Sequence, residues 1–584
     1  MRNVISIIAL SLILSCKSIA PAQGPNSSRP NVILVMTDDQ GFADLGAHGN
    51  PYLKTPNMDA MRSESVYFEN FHVSPTCAPT RASLMTGRYS LRTGIWHTIQ
   101  GRSIMRNDET TMAEVFSANR YKTGIFGKWH LGDNYPYLPQ NRGFEETFIH
   151  GSGGVTQSAD YWGNDYFDDT YFRNGVPEKT EGYCTDVWFD NALDFIKRNK
   201  DNPFFCYIPT NAPHGPFLVD EKYAAPYRNN PDIVNPEFYG MITNADDNMG
   251  RLMKALRKWE LEENTILIFM TDNGSAAGYA TGKGLYVKTG FNEGLRAKKG
   301  SMYDGGHNVP FFIRWPKGNL VGGRSIKDLS AHIDVLPTLI DLCNLDEPEH
   351  LPFDGRSFAP LLRKEKKSLS PRTLFTDTQR IHYPEKWRNS SVMTQEWRLI
   401  NGHELYNIVE DREQRKNIAS KNPKIVEQLR NDYEAWWVSV SERFDEYVRI
   451  PLGNPNTPEV TLRSHDWSGN LAHNHAQVRS AKPGNGPWAV QVEQVGQYEI
   501  ELRRWPKEAD TAITEAPADG GKALTIDRVR MTIWDKEYSA EVKPGDKGIT
   551  FTVQLPKGPA FLQTWLHADD QHERGAYFVY VRKV

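Results

Sequence analysis

Four short, uninterrupted apolar runs constrain the fold of this chain more than any other feature of its sequence. Runs of this length are typical of strands that are buried on both faces of a parallel sheet. Helix-like stretches lie between them, and strands that alternate with helices predict an α/β sandwich with right-handed crossovers. The runs are residues 31–36, 123–127, 203–208 and 265–270, and the helix-like stretches are 111–119, 185–200 and 242–259.

Each apolar run is followed at once by polar residues that can take part in chemistry. Ligands of such sheets bind beyond the carboxyl ends of the strands, so we expect the four clusters to meet at one edge. Four coincidences of this kind are hard to obtain from structural residues alone. The clusters are Asp38 with Asp39, Lys128 with His130, His214 alone, and Asp272 with Asn273.

The acidic members of these clusters indicate a metal site. Asp38, Asp39 and Asp272 would repel one another without a cation, and Asn273 adds an amide oxygen. A ligand set made only of oxygen favours a hard ion such as Ca²⁺ or Mg²⁺ over zinc. The alternative is helix capping, because Asp and Asn after a strand often cap the next helix. The presence of a second pair favours the metal.

The sequence Cys77-Ala-Pro-Thr-Arg81 predicts the start of a helix. Pro79 suits the first helical turn because its missing N–H is not needed there. Cys77 would then lie near the positive end of the helix, with Arg81 one turn further along on the same face. Such a place can hold a tetrahedral anion. The alternative is a buried structural cysteine, since cysteine packs as a small apolar residue.

Residues 77–88, Cys-Ala-Pro-Thr-Arg-Ala-Ser-Leu-Met-Thr-Gly-Arg, resemble the maturation motif of the type I sulfatases of the alkaline-phosphatase-like superfamily. The resemblance, to polysaccharide sulfatases of the bacterial arylsulfatase type, covers residues 30–440. It implies that a maturation enzyme oxidises Cys77 to formylglycine, whose hydrate is the nucleophile. It also implies one Ca²⁺ ion, held by Asp38, Asp39, Asp272 and Asn273.

The same resemblance assigns roles to the other polar residues. Arg81, Lys128 and Lys299 would surround the oxygens of a sulfate group, where fixed cations stabilise the transition state more than the ground state. His130, in the family's Lys-x-His pattern, would deprotonate the second hydroxyl of the hydrate so that sulfate is expelled. His214 and Lys299 would protonate or polarise the leaving alcohol, since histidine titrates near neutrality.

Two positions depart from the family pattern. Thr80 stands where the family commonly has serine, which we interpret as conservative. Asn308 stands where it often has arginine, a change that bears on local scaffolding or substrate contacts rather than on the chemistry. Three further residues, His97, Arg102 and His307, are hypotheses for sugar contacts, and the alternative for each is a solvated loop residue.

The remainder of the chain predicts further regions beyond a catalytic α/β region at residues 30–370. Residues 371–447 predict a small α+β subdomain in which a helix accompanies an antiparallel sheet. Residues 449–459 are rich in Pro, Asn and Gly and predict a linker. From 460 to 584, apolar residues alternate with polar ones, which predicts an all-β, sandwich-like module. Its five tryptophans fit core positions better than sugar-stacking platforms.

The first residues predict export. A basic start and an apolar run too short to span a bilayer are typical of a signal peptide over residues 1–16. Residues 13–16, Ile-Leu-Ser-Cys, resemble a bacterial lipobox, which would place a lipid anchor on Cys16. The alternative is ordinary secretion, with Cys16 in a discarded peptide. We expect the protein in the periplasm, at the cell surface as an outer-membrane lipoprotein, or secreted.

Net charge and cysteine spacing argue against nucleic-acid binding, a disulfide framework and a zinc site. The formal net charge of −4 gives no nucleic-acid footprint. Cys184, Cys206 and Cys343 are spaced too widely for a disulfide framework and match no zinc pattern.

We predict a sulfatase that hydrolyses sulfate esters of a sulfated carbohydrate, either a polysaccharide or an oligosaccharide. Two other hypotheses stay open. The first is a phosphodiesterase or phosphonate monoester hydrolase of the same superfamily. The second is a carbohydrate-binding lipoprotein with an inactive sulfatase scaffold.

Overall fold

The computed structural model describes residues 29–584, so the predicted signal peptide and Cys16 lie outside the described residues. A ten-stranded mixed sheet forms the centre of the fold, and its five middle strands all run parallel. In spatial order the strands are Arg324–Ile326, Val66–Phe68, Phe311–Arg314, Thr265–Thr271, Asn31–Thr37, Phe204–Pro209, Lys122–Lys128, Glu146–His150, Thr170–Arg173 and Val176–Lys179.

Helices cover both faces of this sheet because its central strands are apolar on both sides. In the strand Asn31–Thr37, Leu34 and Met36 belong to one core and Ile33 and Val35 to the other. The first core includes the helices Cys77–Thr86, Met112–Ala118 and Val335–Cys343, and the second includes Pro56–Glu64, Cys184–Arg198 and Pro236–Lys258. The predicted fold class, an α/β sandwich with C-terminal additions, is confirmed.

Two helix starts show which sequence signals predict the residue at which a helix begins. Thr111 caps the helix Met112–Ala118 in a capping box with Glu114, close to the predicted boundary. The long helix Pro236–Lys258 starts six residues before the predicted residue 242 (242 − 236 = 6). Asn235 caps it by accepting a hydrogen bond from the Phe238 N–H, with Pro236 in the first turn. An Asn-Pro start therefore outweighs the later onset of apolar periodicity.

A four-stranded antiparallel sheet follows the catalytic region, and the helix Pro423–Ser441 packs on it. Its strands are Leu374–Asp377, Ser390–Met393, Trp397–Ile400 and Glu404–Asn407. Elsewhere, Phe71–His72 pairs with Ser330–Ala331, Tyr279–Thr281 pairs with Val287–Gly290, and single-turn helices occupy Glu221–Ala224, Ala359–Leu362 and His475–Arg479.

Two further sheets share one core and form the β module, defined here as residues 450–584. The linker predicted at 449–459 is wrong in its first part, because Ile450–Leu452 is an edge strand of this module. Trp467, Trp488 and Trp505 are fully buried, whereas Trp534 is 37% exposed. One sheet has Ile450–Leu452, Trp488–Val492, Gly558–Ala568, Ile526–Ile533 and Lys536–Glu541, and the other has Glu459–Arg463, Phe578–Lys583, Gly496–Arg503 and Ile549–Leu555.

The four cysteines within the described part of the chain are buried free thiols. Cys206 lies in a central strand and Cys343 ends a helix, so both are packed core residues as expected. No helix in residues 29–584 combines the length and apolarity needed to cross a bilayer.

A buried ion pair joins the four-stranded sheet to the catalytic region. Arg398 is fully buried and its Nε donates to Asp304 Oδ1 at 3.1 Å. We predict that Arg398→Ala lowers the free energy of unfolding by about 3 kcal/mol or more, because it leaves Asp304 buried without its partner. Urea denaturation measures this change.

The matched control is Arg412→Ala, since Arg412 pairs with Glu293 where both side chains are part-exposed. It should cost less than about 1 kcal/mol. Equal losses in the two variants would contradict the structural role given to the buried pair.

Candidate active site

The acidic residues meet because two neighbouring parallel strands end together. Thr37 and Thr271 are register partners at the ends of their strands, so Asp38 and Asp272 follow side by side. The Asp39 N–H donates to Asp272 Oδ1 at 3.0 Å. Asn273 Nδ2 donates to Asp39 Oδ1 at 2.9 Å. The four residues predicted as metal ligands therefore form one cluster, and all four are buried.

Cys77 is the first residue of the helix Cys77–Thr86 and lies against this cluster. Its Sγ and one carboxylate oxygen each of Asp38 and Asp272 all lie within 4.8 Å of one another. One turn along the helix, Arg81 donates to Asp272 Oδ2 at 2.9 Å and lies 3.9 Å from Asp38 Oδ2. Arg81 also donates to the Lys128 carbonyl at 3.1 Å, which ties the helix to a third strand end.

Two lysines and a histidine complete the ring of charge. Lys128 Nζ is 2.5 Å from Asp38 Oδ2, with neither side chain exposed. Lys299 forms an ion pair with Asp39, and His214 Nε2 lies 3.9 Å from Asp39 Oδ2. The side chains of Lys299 and His214 are 14% and 19% exposed. The site therefore opens to solvent on their side, while the acids and Cys77 form its floor.

His130 is held in one tautomer by the backbone. Its Nε2 lies 2.9 Å from the Thr98 carbonyl oxygen, which can only accept, so Nε2 carries the proton. Nδ1 is buried and has no hydrogen-bond partner among residues 29–584. Burial, with Lys128 nearby, holds the pKa of His130 well below its usual range. The neutral ring therefore offers a free lone pair at Nδ1.

The buried acids are electrostatically poised for a cation. Burial raises the pKa of Asp38 and of Asp272 to about 6, although Lys128 and Arg81 oppose the rise. For Asp39, burial is outweighed by Lys299 and His214, so its pKa is lowered. Asp38 Oδ1 and the Asn273 amide oxygen are buried without a hydrogen-bond partner in the described structure. Orphaned oxygens in a cluster of this kind fit a hard cation.

Comparison with known proteins decides the family. The family model described as Sulfatase matches residues 30–345, and a model described as N-sulphoglucosamine sulphohydrolase, C-terminal, matches residues 294–436. This chain belongs to the sulfatase family. It is therefore a sulfuric ester hydrolase. Neither match extends beyond residue 436, so both leave out the β module.

Relatives of this sulfatase include N-acetylgalactosamine-6-sulfatase of Mus musculus, 29% identical over 379 residues, which are 61% of this chain and 70% of the relative. The Ulvan-active sulfatase of Formosa agariphila is 28% identical over 389 residues, 62% of this chain and 70% of the relative. The crystal structure of Ps i-CgsB in complex with k-i-k-neocarrahexaose aligns with a TM-score of 0.62 and 28% identity, over 70% of this chain and 92% of that one.

Two of the three residues predicted to contact sugar, His97 and Arg102, are buried. His97 is 6% exposed, and its Nδ1 accepts the Thr98 N–H at 2.7 Å. Arg102 is 1% exposed, with its guanidinium over Trp96 at 4.5 Å and over Tyr447 at 4.2 Å. Neither residue is therefore a solvated loop residue, and their contact with sugar stays a prediction.

His307, the third of these residues, is fully buried and its Nδ1 lies 2.8 Å from His72 Nδ1. It lies in the network around Asp304 rather than in the open site, which removes it as a sugar contact. Where the family often has arginine, Asn308 donates its backbone N–H to the Asp304 carbonyl. The buried cation beside Asp304 comes instead from Arg398 of the four-stranded sheet.

One residue of the site escaped the sequence analysis. Gly153 packs against the His130 ring, and a Cβ there would lie 2.3 Å from His130 Cε1. It belongs to the run Gly151-Ser-Gly-Gly154 that follows the fifth parallel strand, Glu146–His150. As in the other clusters, functional residues directly follow a buried strand. The apolar run of this strand is too short to be recognised in the sequence.

We predict that Gly153→Ala lowers turnover about 100-fold without unfolding the protein, because the added methyl group displaces the His130 ring by about 1 Å. Gly215→Ala is the matched control beside His214, since its Cβ would meet nothing closer than 3.6 Å. Steady-state kinetics of both variants, with circular dichroism spectra, check this. A Gly153→Ala enzyme as active as the control would contradict the packing.

Proposed function

We propose that this sulfatase uses a formylglycine made from Cys77 and one Ca²⁺ ion to hydrolyse sulfate esters of a carbohydrate. The observation that carries the proposal is the convergence of Cys77 with Asp38 and Asp272 within 4.8 Å, ringed by Lys128 and Arg81. A structural cysteine would not need three buried carboxylates and two buried cations around it.

Asp38, Asp39, Asp272 and Asn273 would hold the ion. All four offer oxygen atoms, the Asp38 and Asn273 oxygens named above lack other partners among the described residues, and Ca²⁺ accepts six to eight oxygen ligands. When bound, the ion would polarise the sulfate group as a Lewis acid and lower the pKa of a hydroxyl nucleophile. The formylglycine hydrate would supply that hydroxyl at position 77.

The protein's own cations would bind the substrate anion. Arg81 and Lys128 lie on the floor of the site and Lys299 at its mouth, so a sulfate group between them meets positive charge on several sides. Charge develops on the bridging oxygen as the S–O bond to the sugar breaks. Preorganised cations, of which Arg81 and Lys128 are buried, stabilise that charge with little reorganisation.

Proton transfers would fall to Lys299 and His130. When the S–O bond breaks, its electron pair stays on the sugar oxygen, which takes a proton from Lys299. His214 is in the wrong tautomer for this while neutral, because its Nδ1–H donates to the Gly215 carbonyl at 2.7 Å. Protonation of the leaving alcohol by His214 would require its imidazolium form, with the second proton on Nε2, which lies 3.9 Å from Asp39 Oδ2. His130 Nδ1 would accept the hydroxyl proton of residue 77 as sulfate departs, restoring the aldehyde for rehydration.

A sulfated carbohydrate is the substrate class that the relatives favour. Their names include N-acetylgalactosamine-6-sulfatase and Ulvan-active sulfatase, and one aligned structure contains k-i-k-neocarrahexaose. We therefore propose a sulfated polysaccharide or oligosaccharide, met outside the cytoplasm after export and conversion by a maturation enzyme. The likeness to the phosphonate monoester hydrolase of Agrobacterium radiobacter, at 19% identity and a TM-score of 0.51, shows the fold alone.

The proposed function makes a prediction about Cys77 itself. In protein made with a maturation enzyme, mass spectrometry should find the Cys77 peptide with its thiol and one hydrogen replaced by a carbonyl oxygen. That protein should release sulfate from a panel of sulfated glycans, whereas Cys77→Ala should release none. Converted protein that hydrolyses phosphate esters at least about 100-fold faster than sulfate esters would overturn the assignment.

The second prediction concerns the ion. Adding Ca²⁺ to chelator-treated protein should raise the melting temperature, because saturating ligand at about 100 times its Kd stabilises the folded state by about 2.7 kcal/mol. Asp272→Asn should abolish this Ca²⁺-dependent rise. Asp194→Asn, which changes an exposed acid paired with Arg198, is the control and should keep it. An equal rise in all three proteins would place the ion elsewhere.

A further inference from the structure

The β module holds the loop that sets the tautomer of His130. Gln100 donates its N–H to the His465 carbonyl at 2.7 Å and its side-chain amide to the Gly469 carbonyl at 3.1 Å. Thr98, whose carbonyl fixes the His130 Nε2 proton, lies two residues before Gln100. The position of that carbonyl therefore depends on the module.

The glycine loop that packs on His130 docks on the same part of the module. The Ser158 N–H donates to the His473 carbonyl at 3.0 Å, and the His475 N–H donates to the Thr156 carbonyl at 2.8 Å. These bonds anchor the end of the loop that places Gly153 against the His130 ring. Both loops that confine the imidazole thus rest on residues 464–475.

His465 links these two supports through its side chain. It is 2% exposed, and its Nε2 lies 3.5 Å from Asp133 Oδ2 and 3.3 Å from Asp466 Oδ1. Asp133 in turn accepts the Ser152 N–H at 2.7 Å, at the start of the glycine loop. Asp133 also follows His130 by only three residues along the chain. One imidazole from the module thus lies within ion-pair distance of Asp133, which joins the segment that carries His130 to the loop that packs on it.

We propose that residues 464–475 of the β module form a positioning element of the active site, with His465 as its key residue. The element keeps His130 in the Nε2–H tautomer, with the buried Nδ1 unprotonated. This inference rests on the proposed function, in which His130 Nδ1 accepts a proton as sulfate leaves. It gives the β module, which both family matches leave out, a role in the chemical step.

The test compares variants of the full-length protein. His465→Ala should lower kcat about tenfold, as loss of an orienting partner does elsewhere. KM should fall together with kcat, so that kcat/KM stays within about twofold of the wild-type value, because the step that His130 serves follows release of the alcohol. Sulfate release should slow more than release of the first equivalent of alcohol, since His130 acts after the S–O bond to the sugar has broken. His465→Gln keeps an N–H donor near Asp133 and should recover most of the loss.

A second readout does not depend on activity. In unconverted Cys77 protein, amide hydrogen exchange followed by mass spectrometry should speed up in residues 98–102 and 152–158 of His465→Ala, and not elsewhere. His567→Ala, in the strand Gly558–Ala568 of the same module, is the control and should match the wild type in every measurement.

Gln157→Ala provides a variant in case His465→Ala does not fold. Gln157 Oε1 accepts from Ser152 Oγ and from the Gly153 N–H, both at 3.1 Å, so its loss should loosen the same loop. The proposal is overturned if exchange and kcat stay at wild-type values, if exchange rises across the whole protein, or if His465→Gln rescues nothing. A wild-type enzyme that releases no sulfate would instead overturn the proposed function, and the exchange result would still decide the role of His465.

Discussion

The structure of this candidate active site depends on three carboxylates that are buried together at the ends of two parallel strands. Burial disfavours their charge, and the cluster persists because Lys128, Arg81 and Lys299 surround it. Lys128 ends a third strand, Arg81 lies in a helix and Lys299 lies in a loop. Their ion pairs with the acids therefore hold three different elements together at this site. Cys77 reaches the site because its helix carries Arg81.

The same residues explain how much the sequence could predict. A strand buried on both faces leaves an unbroken apolar run, and the polar residues after it lie at the sheet edge. For this reason the strand-end residues could be named without coordinates. The strand Ile450–Leu452 was not predicted because Pro451 is typical of a linker. Proline is nevertheless tolerated in an edge strand such as this one.

What could not be predicted depends on segments distant in sequence. Arginine is a residue type that suits a sugar contact, but the guanidinium of Arg102 packs over the ring of Tyr447, which lies far along the chain. His307 is buried through His72 in the same way. The contact of His465 with Asp133 likewise joins the catalytic region to the β module. Local patterns carry no information about such pairs, so exposure and partner choice have to come from the fold.

The most direct measurement is a crystal structure of the converted enzyme grown with Ca²⁺. The account predicts one cation peak bonded to oxygens of Asp38, Asp39, Asp272 and Asn273, with the oxidised side chain of residue 77 in contact with it. Lys128 and Lys299 should then turn toward the substrate pocket. An empty cluster in which both lysines still pair with the acids, or a cation bound away from residue 77, would contradict it.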